Sequence, residues 1–149
     1  RRVLFRSLTS RRPSSPFPIT YLSQVYPTST HLIQAQKFLH LSPTPSIATL
    51  IRLSPTPLSL ALSHAATQRP DWDGVEERTV FHALNLKFTQ NRELGEWLES
   101  TGEREIRGVD EEGREVGEVV MRVRKALQEM RKRHPSPRRE WGTYSVGLL

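Results

Sequence analysis

The sequence predicts a mainly α fold, an α+β domain with at most a small strand pair, organised as one compact helical unit. Three observations favour this class. Apolar residues recur at helical spacing in several segments, residues suited to helix N-termini precede these segments, and prolines separate them. The chain has 149 residues, which is long enough for one domain with its own core.

The first predicted helix covers residues 31–40. Its start is predicted at Ser29 or Thr30, because a hydroxyl at the N-cap accepts a hydrogen bond from the backbone of the first turn. The positions expected to face the core are Leu32, Ala35, Phe38 and Leu39.

A repeated Leu-Ser-Pro-Thr-Pro segment follows, at residues 41–45 and 53–57. In each copy the prolines can end one helix and begin the next. The sequence therefore predicts two short apolar helices, over residues 46–52 and 58–66, rather than a repeat architecture, since two copies are too few for a solenoid.

Residues 69–102 predict a helical hairpin with a Trp at its entrance. Asp71 or Asp73 can cap the first helix, Asn91 can cap the second, and Gly102 suits the C-terminal end of the second. The apolar positions of the first helix are Val75, Val80, Ala83, Leu84 and Phe88. Those of the second helix are Leu94, Trp97 and Leu98.

The remaining chain predicts a short strand at residues 103–107 and a long helix over 115–133. Basic residues near the end of that helix complement its dipole, and Pro135 ends it. Its apolar face consists of Val116, Val119, Val120, Val123, Leu127 and Met130.

Charge is distributed unevenly along the chain, although the net charge is +6. Residues 1–70 contain eight Lys or Arg and no acid, whereas residues 71–149 contain all 16 acids and 14 bases. A catalytic carboxylate must therefore come from the second half, and the basic first half suits an anionic ligand. We expect a domain over 15–133, preceded by a basic disordered tail (1–14) and followed by a loosely attached tail (134–149).

Composition also excludes several kinds of site. The chain has no cysteine, which rules out disulfides, thiolate nucleophiles and Cys-ligated zinc. No phosphate-binding Gly loop, metal-ligand spacing or Ser-His-Asp signature is present, so no metal and no cofactor are predicted. No apolar run approaches ~20 residues, and no membrane partner is expected. The compartment is unknown, with the cytoplasm favoured, but the Arg- and Ser-rich N-terminus also suits organelle targeting.

Several blocks of the sequence match known motifs in one order. Residues 15–26 are similar to an "sPf..LSnfy" segment, and 26–38 (YPTSTHLIQAQKF) to Y-P-[ST]-x-E-H-x-[FY]-Q-A-x-K-F. Residues 69–102 resemble a core helical hairpin, and 113–124 (GREVGEVVMRVR) a closing "GrN.LG..LM.vR" helix. Together these blocks, over about residues 15–130, resemble the NADAR family of riboflavin-intermediate N-glycosidases and ADP-ribose-processing relatives.

The resemblance implies a mainly α domain that hydrolyses an N-glycosidic bond. Its substrate would be a ribosylated pyrimidine of riboflavin biosynthesis or an ADP-ribosylated base, that is, a ribose phosphate with a planar base. Such hydrolysis passes through an oxocarbenium-like transition state, which needs a carboxylate to stabilise charge or to activate water.

The sequence departs from the family pattern at two positions assigned to chemistry. The family Glu before the motif His is replaced by Thr30, whose hydroxyl does not ionise near neutral pH. The acidic residue and W-G-x-G turn of the family are missing from residues 106–112. Asp110, with Glu111 and Glu112 beside it, is the candidate to replace the lost carboxylate, and the alternative is that these acids form a solvated turn.

By the same resemblance, five residues are candidates for substrate binding. They are His31, Gln34, Lys37, Trp72 and Asp73. His31 and Lys37 would meet the anionic part of the substrate, and Trp72 would stack on the base. Each has a structural alternative: a hydrogen bond within the fold for His31 and Gln34, a solvated charge for Lys37, packing at the hairpin for Trp72, and a helix cap for Asp73 and for Thr30.

Three functional hypotheses follow from these observations. The first is a NADAR-like N-glycosidase with weakened or lost activity. The second is a catalytically inactive NADAR-fold module for binding or interaction. The third is a basic nucleic-acid-associated protein, which would act through the arginines of both tails.

Overall fold

The computed structural model describes residues 3–4, 17–40, 46–110 and 112–135, and within these ranges the chain is mainly helical, as predicted. The elements in chain order are β1 (Val3–Leu4), β2 (Ile19–Tyr21), β3 (Gln24–Tyr26), α1 (Ser29–Gln36), α2 (Ile47–Leu53), α3 (Pro57–Ser63), a 3₁₀ turn (Ala65–Thr67), α4 (Trp72–Gln90), α5 (Arg92–Ser100), β4 (Ile106–Arg107) and α6 (Gly117–Arg133). Of the two predicted tails, the structure describes Val3–Leu4, which form β1, and residues 134–135. The rest of both tails, the first Leu-Ser-Pro-Thr-Pro copy and Glu111 lie outside the described residues.

Helix α1 begins earlier than predicted, because the N-cap is Thr28 rather than Ser29 or Thr30. Thr28 has an extended backbone (φ −143°, ψ 166°), and its hydroxyl accepts a hydrogen bond from the backbone N–H of His31. Three successive hydroxyl residues each suit an N-cap, and the sequence alone did not decide among them. The helix ends at Gln36, so Leu39 lies beyond it and is 44% exposed instead of facing the core.

Helix α1 is the central element of the fold and packs against α2, α3 and α4. Ser46 caps α2 as an N-cap hydroxyl, and Pro57 stands in the first turn of α3, as the proline-containing repeat predicts. Helix α4 also packs against α5 and α6. The core lies between α1 and this group of three helices, and its largest fully buried apolar side chains include Phe38, Phe88, Ile51 and Leu98.

The predicted hairpin of α4 and α5 forms, with Asp71 at the first N-cap position and Asn91 at the second. Asn91 does not cap α5 with its side chain. It donates instead to the backbone oxygen of Lys87 (2.8 Å), at the end of α4. Gly102 has φ +60°, the left-handed conformation that ends a helix, as expected. Gly95 lets the two helices approach, because a Cβ there would lie 2.7 Å from the Phe88 oxygen.

The four short strands of the described ranges form two small sheets beside the helices. β2 and β3 pair antiparallel, with Ile19 opposite Tyr26. The side chain of Gln90 pairs with β2 like another strand, accepting from the Thr20 N–H (2.7 Å) and donating to the Thr20 oxygen (2.8 Å). The end of α4 is therefore fixed to the β2–β3 hairpin.

β4 is shorter than the predicted strand at 103–107, and it pairs parallel with β1. Helix α6 starts at Gly117, two residues later than predicted, because Glu115 pairs with Val109 across the preceding turn. Residues 108–116, the connecting turn, are closed by a hydrogen bond from the Val116 N–H to the Gly108 oxygen (2.9 Å). At the other end of α6, Met130 is 44% exposed, so it does not join the buried face.

Candidate functional site

Polar residues of α1 and of its C-cap, Lys37, form a buried stripe rather than a solvated face. Thr30, His31, Gln34 and Lys37 are all less than 9% exposed. Gln34 is fully buried, and Lys37, which was a candidate for a solvated charge, is 8% exposed. Burial of so many polar groups requires partners inside the protein.

His31 has its partners within the fold. Its Nε2 lies 2.9 Å from the backbone oxygen of Ser54, and its Nδ1 lies 2.8 Å from the Thr28 hydroxyl. Because a carbonyl oxygen only accepts, Nε2 carries the proton and Nδ1 accepts from Thr28. Through these bonds His31 ties the start of α1 to the end of α2. Both ring nitrogens of His31 are thus occupied in structural contacts.

Thr30 and Asp110, the two residues predicted for catalysis, line the same small cavity. Its volume is about 20 Å³, and Val80 and Lys87 lie in the same wall. A cavity needs roughly 10–15 Å³ to hold one water molecule, so this one has room for a single water. The family Glu position therefore faces a nearly filled space in this chain.

Lys87 was not predicted as a site residue, and it is 1% exposed in the wall of that cavity. It stands seven residues after Val80 and three after Leu84, on the buried side of α4. The sequence shows this helical spacing, and it could have predicted that Lys87 lies on the buried face of α4.

The turn of residues 108–116 is organised by the Asp110 side chain. Asp110 Oδ1 accepts from the backbone N–H groups of Glu112 and Arg114, both at 2.9 Å. Asp110 Oδ2 accepts from Arg114 Nε at 2.6 Å. Gly113 supports the tight path with φ +79°. Both carboxylate oxygens of Asp110 are thus held inside the turn.

Glu112, rather than Asp110, reaches the polar stripe of α1. Glu112 Oε1 accepts a hydrogen bond from Gln34 Nε2 and lies 3.6 Å from Lys37 Nζ. Glu112 Oε2 lies 3.4 Å from Arg114 Nη1. The Glu112 side chain keeps 18% of its surface exposed, so it is not fully enclosed by its partners.

The Gln34 amide has a fixed orientation in this cluster. A carboxylate only accepts hydrogen bonds, so the NH₂ group must face Glu112. Gln34 Oε1 is buried and has no hydrogen-bond partner among the described residues. The cluster therefore offers a hydrogen-bond acceptor as well as a carboxylate.

Arg114 extends the cluster to α4. Its Nη1 lies 2.6 Å from Glu76 Oε1, in addition to its contacts with Asp110 and Glu112. Burial lowers the pKa of Arg114, but the hydrogen bonds to Glu76 and Asp110 and the charge of Glu112 outweigh burial and raise that pKa above its ordinary value. A groove of about 140 Å³, lined in part by Glu76, Arg114 and Val80, opens beside these ion pairs.

Trp72 lies against the other side of Lys37. The ammonium of Lys37 is 5.2 Å from the centre of the Trp72 ring, within cation–π distance. Trp72 is 4% exposed, so its ring is a wall of the cluster in this conformation and not an open stacking surface.

Asp73 stands apart from these residues. It lies in the first turn of α4 and is exposed, and Asp71 occupies the N-cap position predicted for one of the two. Asp71 is itself held by Arg69, with bonds of 2.7 and 2.8 Å. The structure thus brings together Gln34, Lys37 and Trp72, with Glu112 in contact with Gln34 and Lys37.

Other kinds of site find less support in the described ranges. They contain no group of three or more His, Cys, Asp or Glu suited to a metal ion. None of the helices in those ranges is both long and apolar enough to cross a bilayer. Of the basic C-terminal run, Arg131 pairs with Glu99 at 2.5 Å, and residues 136–149 lie outside the described part.

Comparisons with known proteins give one family and two relatives. A family model described as the NADAR domain matches residues 5–111. Riboflavin biosynthesis protein VVA0006 of Vibrio vulnificus (strain YJ016) is 30% identical over 128 residues, which cover 76% of this chain and 34% of that protein. This chain thus spans about a third of the length of that relative.

A solved structure gives the same fold. The NMR structure of the E. coli protein YbiA superposes with a TM-score of 0.68, covering 89% of this chain and 88% of that chain. The two sequences are 24% identical, so this likeness concerns the fold alone.

Proposed function

We propose, since the chain belongs to the NADAR family, that it is a glycosidase-related domain that cleaves an N-glycosidic bond with Glu112 as its carboxylate. The observation that carries this proposal is the position of Glu112. Its carboxylate meets Gln34 on the motif helix α1 and Lys37 at the C-cap of that helix, although the family Glu at position 30 is absent. The turn that replaces the family loop thus still delivers an acid to α1.

The proposed reaction is hydrolysis through an oxocarbenium-like transition state. A water molecule attacks the anomeric carbon, and the bond from that carbon to the base nitrogen breaks. Glu112 takes the water proton, and Lys37 gives a proton to the departing nitrogen. The two groups are 3.6 Å apart, so the proton then returns from Glu112 to Lys37 and restores both.

The substrate class we propose is a ribose phosphate that carries a planar base. The name of the Vibrio vulnificus relative, a riboflavin biosynthesis protein, favours a ribosylated pyrimidine, and an ADP-ribosylated base is the other candidate. Gln34 Oε1 would accept from a ribose hydroxyl. Lys37, on turning from the Trp72 ring to the substrate, would leave one face of that ring for the base.

Hydrolysis of a ribosylaminopyrimidine phosphate tests the proposal, with release of ribose phosphate as the readout. We expect turnover by the unmodified chain and a loss of about 100-fold or more in Glu112→Gln, since a positioned acid or base contributes about 10²–10⁴-fold. The matched control is Glu129→Gln, an exposed acid on α6 that forms no ion pair with a described residue. Equal turnover by Glu112→Gln and the control would exclude Glu112 as the carboxylate.

A second candidate function is a binding module without catalysis. The cavity beside Thr30 favours it, because about 20 Å³ leaves no room for a sugar next to the position of the family Glu. For this candidate, the unmodified chain would bind the same ribosylaminopyrimidine phosphate in a calorimetric titration and release no ribose phosphate. A measurable rate in Thr30→Glu, with an unchanged melting temperature, would indicate a pocket that has lost only its acid.

A further inference from the structure

A second concave region lies along α4, and its lining shares no residue with the Glu112 cluster. It has a volume of about 480 Å³, within the range of small-molecule sites. Of the five α4 residues that line it, Val75, Arg78, Thr79 and His82 recur at i, i+3, i+4 and i+7 and so form one stripe along the helix. Lys37 and Glu112 do not line it.

The lining of this outer cleft is cationic and contains no acid. Arg69 and Arg78 both line it. Arg69 is held in place by Asp71 through two hydrogen bonds, which reduces its charge toward a ligand. Arg78 is exposed and forms no ion pair with a described residue, so its guanidinium is available for an anion.

Aromatic side chains line the cleft together with Arg69 and Arg78. Tyr21, from β2, and His82 contact each other edge to face, with ring centres 5.5 Å apart and planes at 77°. Both line the cleft, as does Phe81. A perpendicular pair leaves ring surface for a planar ligand group, which aromatic side chains bind by stacking.

We propose that this outer cleft binds a small planar anion, an aromatic ring that carries a phosphate group. Arg78 pairs with the phosphate, Arg69 supports it, and Tyr21 and His82 contact the ring. The site is separate from the Glu112 cluster, and the proposal does not depend on hydrolysis. Simple aryl phosphates and mononucleotides both carry a phosphate group and an aromatic ring. Titration with members of both classes compares their binding.

The test is calorimetric titration of the full chain with phenyl phosphate, AMP, inorganic phosphate and phenol. We expect saturable binding of at least one aromatic phosphate, with inorganic phosphate and phenol each about tenfold weaker or more. Stronger binding of AMP would assign the cleft to nucleotides, and stronger binding of phenyl phosphate to single-ring phosphates. Absence of saturable binding by both, or equal binding of inorganic phosphate, would overturn the proposal.

A matched pair of variants locates the site. Arg78→Gln should weaken binding of the better aromatic phosphate about tenfold, as expected for loss of a charge-assisted hydrogen bond. Arg133→Gln, at the exposed end of α6, removes the same charge elsewhere and should change it less than about twofold. Both positions are exposed, so both variants should keep the wild-type circular dichroism spectrum. Equal weakening in the two variants would mean general charge attraction and would contradict the assignment.

Discussion

Gly117→Ala should destabilise the protein strongly, because the start of α6 lies directly against β4. A Cβ at position 117 would be 2.3 Å from the Ile106 oxygen and 3.0 Å from Arg107 Cα. The first distance is more than 1 Å inside the ~3.5 Å at which non-bonded heavy atoms begin to attract. Both neighbours are backbone atoms, so relief requires a shift of α6 away from the strand.

The expected change in the free energy of unfolding for Gly117→Ala follows from two opposing effects. Overpacking costs about 1–3 kcal/mol, and the rigid backbone neighbours place this site near the upper end. Replacing Gly by Ala in a helix returns up to about 1 kcal/mol. The net loss in the free energy of unfolding should therefore be about 2 kcal/mol.

Gly74→Ala is the matched control for this change. Gly74 lies in the first turn of α4, and an added Cβ there meets nothing within 4 Å. The control should gain about 0.5–1 kcal/mol from the lower entropy of the unfolded chain. The two variants should thus differ by about 3 kcal/mol, or by about 6–12 °C in melting temperature for a chain of this size.

Urea unfolding followed by circular dichroism measures the difference, with comparison of midpoints at equal slopes. If Gly117→Ala were as stable as Gly74→Ala, the close approach of α6 to β4 would be wrong. Gly117→Ala should also have a lower turnover, because a shift of α6 moves the turn that carries Glu112.

Three further substitutions test structural roles in the same unfolding assay. His31→Leu should lower the free energy of unfolding by about 1–3 kcal/mol, because the Ser54 oxygen loses its donor; a stable variant that lost only turnover would point instead to a role in chemistry. Arg124→Met should cost about 1–3 kcal/mol, since its Nη1 donates to the buried Thr101 hydroxyl at 2.7 Å, and an unchanged midpoint would contradict that contact. Gly102→Ala should cost about 1 kcal/mol, because its φ of +60° disfavours a side chain; equal stability would exclude the left-handed helix end.

The helical framework was predictable because its signals are local. Apolar spacing, prolines and cap residues act within a few positions of one another, and they predict all six α-helices of the described part of the chain and the α4–α5 turn nearly where they form. The wrong predictions concern the ends of helices. Thr28, Ser29 and Thr30 each suit an N-cap, and in the structure Thr28, with its extended backbone, takes that role.

The burial of lysine side chains was harder to predict from the sequence than the helices. The sequence leaves Lys37 open as a solvated charge, yet it lies between the Trp72 ring and the Glu112 carboxylate. A charge is buried only where partners compensate the loss of water. Glu112 belongs to a turn far along the chain, and no local pattern links it to α1.

Local patterns in the sequence predict the helices, and because no acid precedes residue 71, any carboxylate at α1 comes from the second half of the chain. Which acid reaches α1 depends on how the connecting turn folds. Asp110 uses both oxygens to close its own turn, whereas Glu112 extends to Gln34 across a separation of 78 residues. The physical reason is that hydrogen bonds are short and directional, so which of two neighbouring acids meets a distant helix depends on backbone direction in the turn.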